Sequence, residues 1–139
     1  MLKNYTTKIP AAQTVGEIQG ILAAHGARKV MMEYTDDGHV KAVSFAVDTP
    51  CGMRGFQLPA RVDAVAATLA RQKVKCDYAQ AERVAWRIVK DWIDAQMAFL
   101  ESEQAALDEI FLPYMVDNSG QTMYQAFRQN LLAEGGPHE

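Results

Sequence analysis

The chain has 139 residues, of which 14 are Lys or Arg and 17 are Asp or Glu, with three His and two Cys. That length suits one domain, and no apolar run approaches the roughly 20 residues of a membrane span. Two cysteines without metal-ligand spacing exclude a disulfide scaffold and point to a reducing, cytoplasmic setting, while Met1 to Pro10 lacks the apolar stretch of a signal peptide.

The net charge of −3 is unevenly distributed. Residues 1–53 are balanced, residues 54–90 carry a net of +5, and residues 91–139 carry a net of −8 with Arg128 as their one cation. The low total therefore hides a dipolar chain, which bears on partners and not on fold.

In chain order, Thr14-Val15-Gly16-Glu17 fits a capping box, and Val15, Ile18, Ile21 and Leu22 recur at helical spacing. A first helix is expected from about residue 15 to 25, closed by Gly26. Val30, Met32 and Tyr34 alternate with Met31, Glu33 and Thr35, and Asp36-Asp37-Gly38 supplies a turn. The return strand sets Val43, Phe45 and Val47 against Ala42, Ser44 and Ala46. Thr49-Pro50-Cys51-Gly52 leads to a third strand around Arg54 to Leu58, which Pro59 ends. A second helix carries Val62, Val65, Ala66 and Leu69, and Gln72 to Asp77 reads as a connection.

From Ala79 to Leu112 there is neither Gly nor Pro. An unbroken helix there would be roughly 50 Å long, so it either bends near Glu101 to Gln104 or packs on a second subunit. Pro113 ends it, Asn118-Ser119-Gly120 turns, and Met123, Phe127 and Leu131 form a short terminal helix. The expectation is an α+β fold: an α-β-β-β-α core with a three-stranded antiparallel sheet, the first two helices as its lid, a long C-terminal helix and a short last one. It divides into an α+β domain over 1–77, a helical extension over 78–132 packing on it or on a second subunit, and a disordered tail over 133–139.

Catalytic chemistry has little to stand on. His25 ends a helix, His39 lies in a turn, His138 lies in the tail, and none has zinc-ligand spacing. Cys51, between Pro50 and Gly52, has no basic partner fixed next to it; Cys76 follows Lys73 and Lys75, which can lower a thiol's pKa, against the plainer reading of a surface or half-buried thiol. No catalytic residue, metal or organic cofactor is expected. The basic stretch is more informative. Arg83, Arg87 and Lys90 share one helical face, Trp86 sits on its shoulder, and Lys73 and Lys75 extend it. Guanidinium forks for phosphate beside an aromatic face for a base are what a single strand or a nucleotide requires. The same side chains can instead pair with Glu82 and Asp91 and lay their stems over apolar surface. The acidic third offers a rival: Glu101, Glu103, Asp108 and Glu109 can imitate nucleic-acid phosphates and occupy a basic protein partner.

Three segments carry a resemblance: Arg83-Val84-Ala85-Trp86-Arg87-Ile88-Val89-Lys90-Asp91-Trp92, Phe111-Leu112-Pro113-Tyr114 and Gly55-Phe56-Gln57-Leu58-Pro59-Ala60. They resemble small uncharacterised proteins encoded in bacteriophages and integrated mobile elements, a likeness that implies no assigned activity. By element order the chain is also similar to the core of single-strand annealing proteins, including phage recombinases, and to the double-stranded RNA-binding domain. The lysine-rich start of the latter's second helix is replaced by Pro59-Ala60-Arg61-Val62-Asp63. The sequence thus points to a small non-catalytic accessory protein, a homodimer, binding single-stranded nucleic acid or a nucleotide through Lys73, Lys75, Arg83, Trp86, Arg87 and Lys90. The alternative is a protein–protein inhibitor or assembly module acting on a host protein through the acidic helices.

Overall fold

In the computed structural model, which describes residues 1–133, helix α1 (Ala11–Ala24) starts four residues earlier than the capping box places it. Pro10 occupies the N-cap, and its carbonyl accepts from the Thr14 amide at 3.1 Å, so Thr14 is already inside the helix. Thr14 is fully buried with Val15 and Ile18, and the anticipated capping pair is not formed. Gly26, at φ +110°, turns the chain out of the helix as expected.

Strands β1 (Ala27–Tyr34), β2 (Val40–Thr49) and β3 (Gly52–Pro59) form an antiparallel sheet in the order β1-β2-β3. The alternation sets the register: Phe45 faces Val30 on one side and Phe56 on the other, and Val43 faces Met32 and Leu58. These residues make the inner face. Phe45 and Phe56 stack at 5.2 Å, and the buried Phe111 meets Phe45 edge-on at 5.1 Å. On the other face a polar stitch crosses all three strands. Ser44 donates its hydroxyl and Gln57 its amide to the Glu33 carboxylate, which these bonds hold below the usual carboxylate range.

Helices α2 (Val62–Arg71) and α3 (Tyr78–Glu101) follow. Asp77 caps α3 by accepting from the Gln80 amide at 2.9 Å. The lid over the sheet is α1 with α3, not α1 with α2. Trp86, Ile93 and Met97 of α3 share one core with Val15, Ile18 and Leu22 of α1 and with the inner sheet face. Helix α2 packs on the opposite side of α3, where Val62, Val65 and Ala66 meet Ala81 and Ala85. Both clusters join residues from either side of position 77, so that position does not separate two cores.

The long helix stops after 24 residues, about 36 Å. Its end is a Schellman closure: the Gln104 amide reaches the Phe99 carbonyl and the Glu103 amide reaches that of Leu100, with Glu103 at φ +61°. Helix α2 closes the same way on Lys73, at φ +60°. Neither position is glycine, which is why the break after Glu101 has no Gly or Pro to mark it. Helix α4 (Leu107–Phe111), a 3-10 turn over Leu112–Tyr114 and helix α5 (Met123–Ala133) complete the described chain, and the expected disordered tail at 133–139 lies almost entirely outside it. Between them Met115 and Val116 lie along the free side of β3, with the Val116 amide 2.9 Å from the Gly55 carbonyl. Among the described residues, no helix is long and apolar enough to cross a membrane.

A left-handed glutamate is strained relative to glycine. Glu103→Gly is expected to stabilise the fold by about 0.5–1 kcal/mol, the left-handed penalty less glycine's extra unfolded-state entropy. Thermal unfolding should register this as a rise of about 2–4 °C in Tm. An unchanged or lowered Tm would contradict the strain argument.

Candidate functional site

Of the residues singled out for nucleic-acid binding, Arg83, Trp86, Arg87 and Lys90 lie along α3, where the fold uses them internally. Arg83 donates through Nε and Nη2 to the Gln80 side-chain oxygen, at 2.9 and 2.6 Å. The Gln80 amide in turn donates to the Tyr5 and Thr7 carbonyls, so this pair ties the N-terminal segment to α3. Arg87 donates to Glu17 at 2.8 Å and to the Thr14 hydroxyl at 3.3 Å, bridging α3 to α1. Lys90 stands 2.9 Å from Asp94 and 4.0 Å from Glu17. Hydrogen bonds from Gln13 and Arg87 hold the Glu17 carboxyl below its usual range. The shared face of Arg83, Arg87 and Lys90 is thus a docking face for α1 and the N-terminal segment.

Trp86 requires a correction. It is 0% exposed in the main core, so neither ring face is open to a base. Among the described residues, its indole Nε1 has no hydrogen-bond partner. Lys73 and Lys75 are exposed in the α2–α3 connection, where the Lys73 backbone closes α2. Cys76 packs beside them in the α2–α3 cluster.

The acidic candidates also have local roles. Glu101 accepts from His25 at 2.7 Å, Glu103 closes α3, and Glu109 accepts from the Ala106 amide at 3.1 Å at the start of α4. Asp108 sits in the first turn of α4, where a carboxylate favours the helix dipole.

Two cations that no sequence pattern singles out are better placed. Lys41 projects from β2 and Arg61 occupies the N-cap of α2; both are exposed. Among the described residues, neither has a carboxylate within ion-pairing distance. Together they border two cavities. One, of about 170 Å³, also takes in Gln57, Thr122, Tyr124 and Gln125. The other, of about 430 Å³, lies against the first turn of α2, with Thr35 and Tyr78 on its far wall. That helix start has no side-chain cap, so its leading amides remain available to an anion. Asp63, in the same turn, partly offsets this by its own charge. Arg61 further borders a third, mostly apolar cavity of about 440 Å³ between α2 and α3, where Ile88, Val89, Trp92 and Tyr114 form a wall.

Beside the second cavity, His39 Nδ1 lies 3.1 Å from Glu82 and its Nε2 lies 3.8 Å from Asp37, with the Tyr78 ring edge-on at 4.8 Å. Burial and the charges of Glu82, Asp63 and Asp37 push the Tyr78 hydroxyl up. Among the described residues, no serine or cysteine is hydrogen-bonded to His39, and this cluster ties the β1–β2 turn to α3. No grouping of three His, Cys, Asp or Glu able to hold a metal occurs among the described residues.

His25 is the titrating contact to test. Its Nδ1 meets the Ile21 carbonyl and its Nε2 the Glu101 carboxylate, both at 2.7 Å. Both partners only accept, so both bonds form only with the doubly protonated ring. The Glu101 bond, then the Ile21 bond, therefore raise the imidazole pKa. The stability this contributes is full below the unfolded-state pKa and is lost as pH rises through the higher folded value. Glu101→Gln should lower the His25 pKa in an NMR titration and flatten the loss of stability in that window; an unmoved pKa would refute the contact.

Comparison of the chain with protein-family models, curated proteins and solved structures finds no match.

Proposed function

We propose that this is a small non-catalytic accessory protein that binds a nucleotide, free or within a single strand, at the junction between β3 and α2. One observation carries the reading: Arg61, without an ion-pair partner among the described residues, borders each of the three cavities described above, one strongly apolar and two of mixed polar and apolar lining. Phosphate is a doubly anchored ligand here, held by the Arg61 fork and the Lys41 ammonium beside the leading amides of α2. The apolar cavity with Trp92 and Tyr114 receives the base, and the exposed Tyr124 offers a second stacking surface on the other side of Arg61. The ligand class is the one to which the basic middle of the sequence points, and the resemblance to phage and mobile-element proteins is compatible with it. The anchoring residues differ, because Arg83, Arg87 and Lys90 are engaged with Gln80, Glu17 and Asp94.

A second reading, a protein–protein inhibitor or assembly module working through Glu101, Glu103, Asp108 and Glu109, draws on the half-exposed Phe99 and Leu112 in the same part of the chain.

Binding of labelled oligonucleotides and of mononucleotides, followed by fluorescence against salt, separates the two. Arg61→Ala and Lys41→Ala should each weaken binding about tenfold, the scale of a lost charged hydrogen bond. Each should also reduce the dependence of log affinity on log salt by about one. Lys75→Ala should change neither. Absence of binding at low salt to both ligands would overturn the nucleotide reading and favour the acidic one.

A further inference from the structure

Among the described residues, the outer edge of β1 has no neighbouring strand. The sheet order leaves β1 at the margin, and among the described residues no backbone bond reaches it from outside the β1–β2 hairpin. The opposite margin is different, since Met115 and Val116 lie along β3. We propose that β1 pairs antiparallel with β1 of a second copy of this chain, about a two-fold axis through Met31, joining two three-stranded sheets into one.

The register follows from the strand itself. Pairing with β2 shifts between Ala27 and Lys29 and again between Glu33 and Tyr34, so the regular stretch is Lys29–Glu33. Its central residue is Met31. Residues directly opposite in an antiparallel pair point to the same face, which excludes a two-fold axis lying between adjacent residues. An axis through Val30 sets Lys29 against Met31, and an axis through Met32 sets Glu33 against Met31. An axis through Met31 alone sets Lys29 against the other copy's Glu33 at both ends of the stretch. It also sets Val30 against Met32 on the inner face and Met31 against itself on the outer one. Opposite charges across strands favour a pair, and like charges oppose it.

The surroundings suit this partner. Met31 is 60% exposed, a large apolar side chain at the centre of the stretch. Ser44 and Gln57 both donate to Glu33 Oε2, which fixes the carboxylate and leaves Oε1 unbonded. Lys29 is exposed and, among the described residues, in no ion pair. A lysine and flanking bulges on an edge strand ordinarily deter indiscriminate pairing. Here the deterrent charge has its complement four residues along the same strand, so the partner that satisfies it is another β1. None of residues 29–33 borders the cavities at Arg61, and this inference stands apart from the nucleotide reading.

Light scattering on the full chain should give twice the 15.4 kDa chain mass, falling towards 15.4 kDa on dilution. Lys29→Glu should shift the dissociation constant upwards at least tenfold, and the Lys29→Glu, Glu33→Lys double variant should restore it, with circular dichroism confirming that each variant is folded. Because Glu33 also stitches the sheet, a second test leaves it untouched. In a Cys51→Ser, Cys76→Ser background, Met31→Cys should oxidise to a covalent dimer. Lys29→Cys should not, since the two copies of position 29 would lie about 13 Å apart along the strands, beyond disulfide reach. A chain that stays at 15.4 kDa at millimolar concentration overturns the proposal. So does a dimer indifferent to Lys29→Glu that fails to cross-link at position 31.

Discussion

The fold depends on α3 being buried from two sides. A 24-residue helix with apolar residues on more than one face cannot lie on a sheet with its back in water, and α3 has both Trp86 and Ile93 to hide on one side and Ala81 and Ala85 on another. The sheet and α1 cover the first side. Helix α2, displaced from the sheet, covers the second. The small residues Ala81 and Ala85 let α2 approach closely, whereas Trp86 fills the space between α1 and the strands. Burial of an indole of this size contributes on the order of 3 kcal/mol, enough to make its unpartnered Nε1 tolerable. Once α3 is central, its polar residues lie where neighbouring segments must cross it.

That placement explains the fate of the basic stripe. Arg83, Arg87 and Lys90 recur on one face because α1 and the N-terminal segment dock there, and long cationic side chains can cover apolar surface while reaching Gln80, Thr14, Glu17 and Asp94. Local charge density along a sequence does not distinguish such a seam from a ligand surface. The distinction lies in whether the counter-charges arrive from another element, and Glu17 is 70 positions from Arg87. Lys41 and Arg61, by contrast, are isolated cations in the sequence. They become neighbours because β2 and the start of α2 border the same cavities.

Much of the fold was legible. The alternation in 30–35 and 42–47 gives the correct inner face, and the glycines at 26, 38 and 52 all adopt the left-handed region their turns require. What was not legible has physical causes. Helix α1 begins before its apolar periodicity does, since Pro10 can cap it without a side-chain acceptor and Ala11 and Ala12 carry little pattern. The break after α3 relies on a glutamate in a conformation usually left to glycine. The position of α2 depends on which face of α3 remains after α1 and the sheet have docked, a question no local pattern answers. The candidate site was harder still, because its two cations belong to different elements and share no motif.

The contact of Val116 with Gly55 has an implication for how the chain is made. A side chain at position 55 would lie 3.2 Å from Val116, so the glycine is what lets the later segment come so near to β3. Yet that segment leaves the ribosome long after the three strands. During synthesis the nascent sheet therefore has two bare margins, and one of them is covered only after more than fifty further residues have followed β3. The order of translation makes the segment at Met115 and Val116 a late guard for strands made long before it.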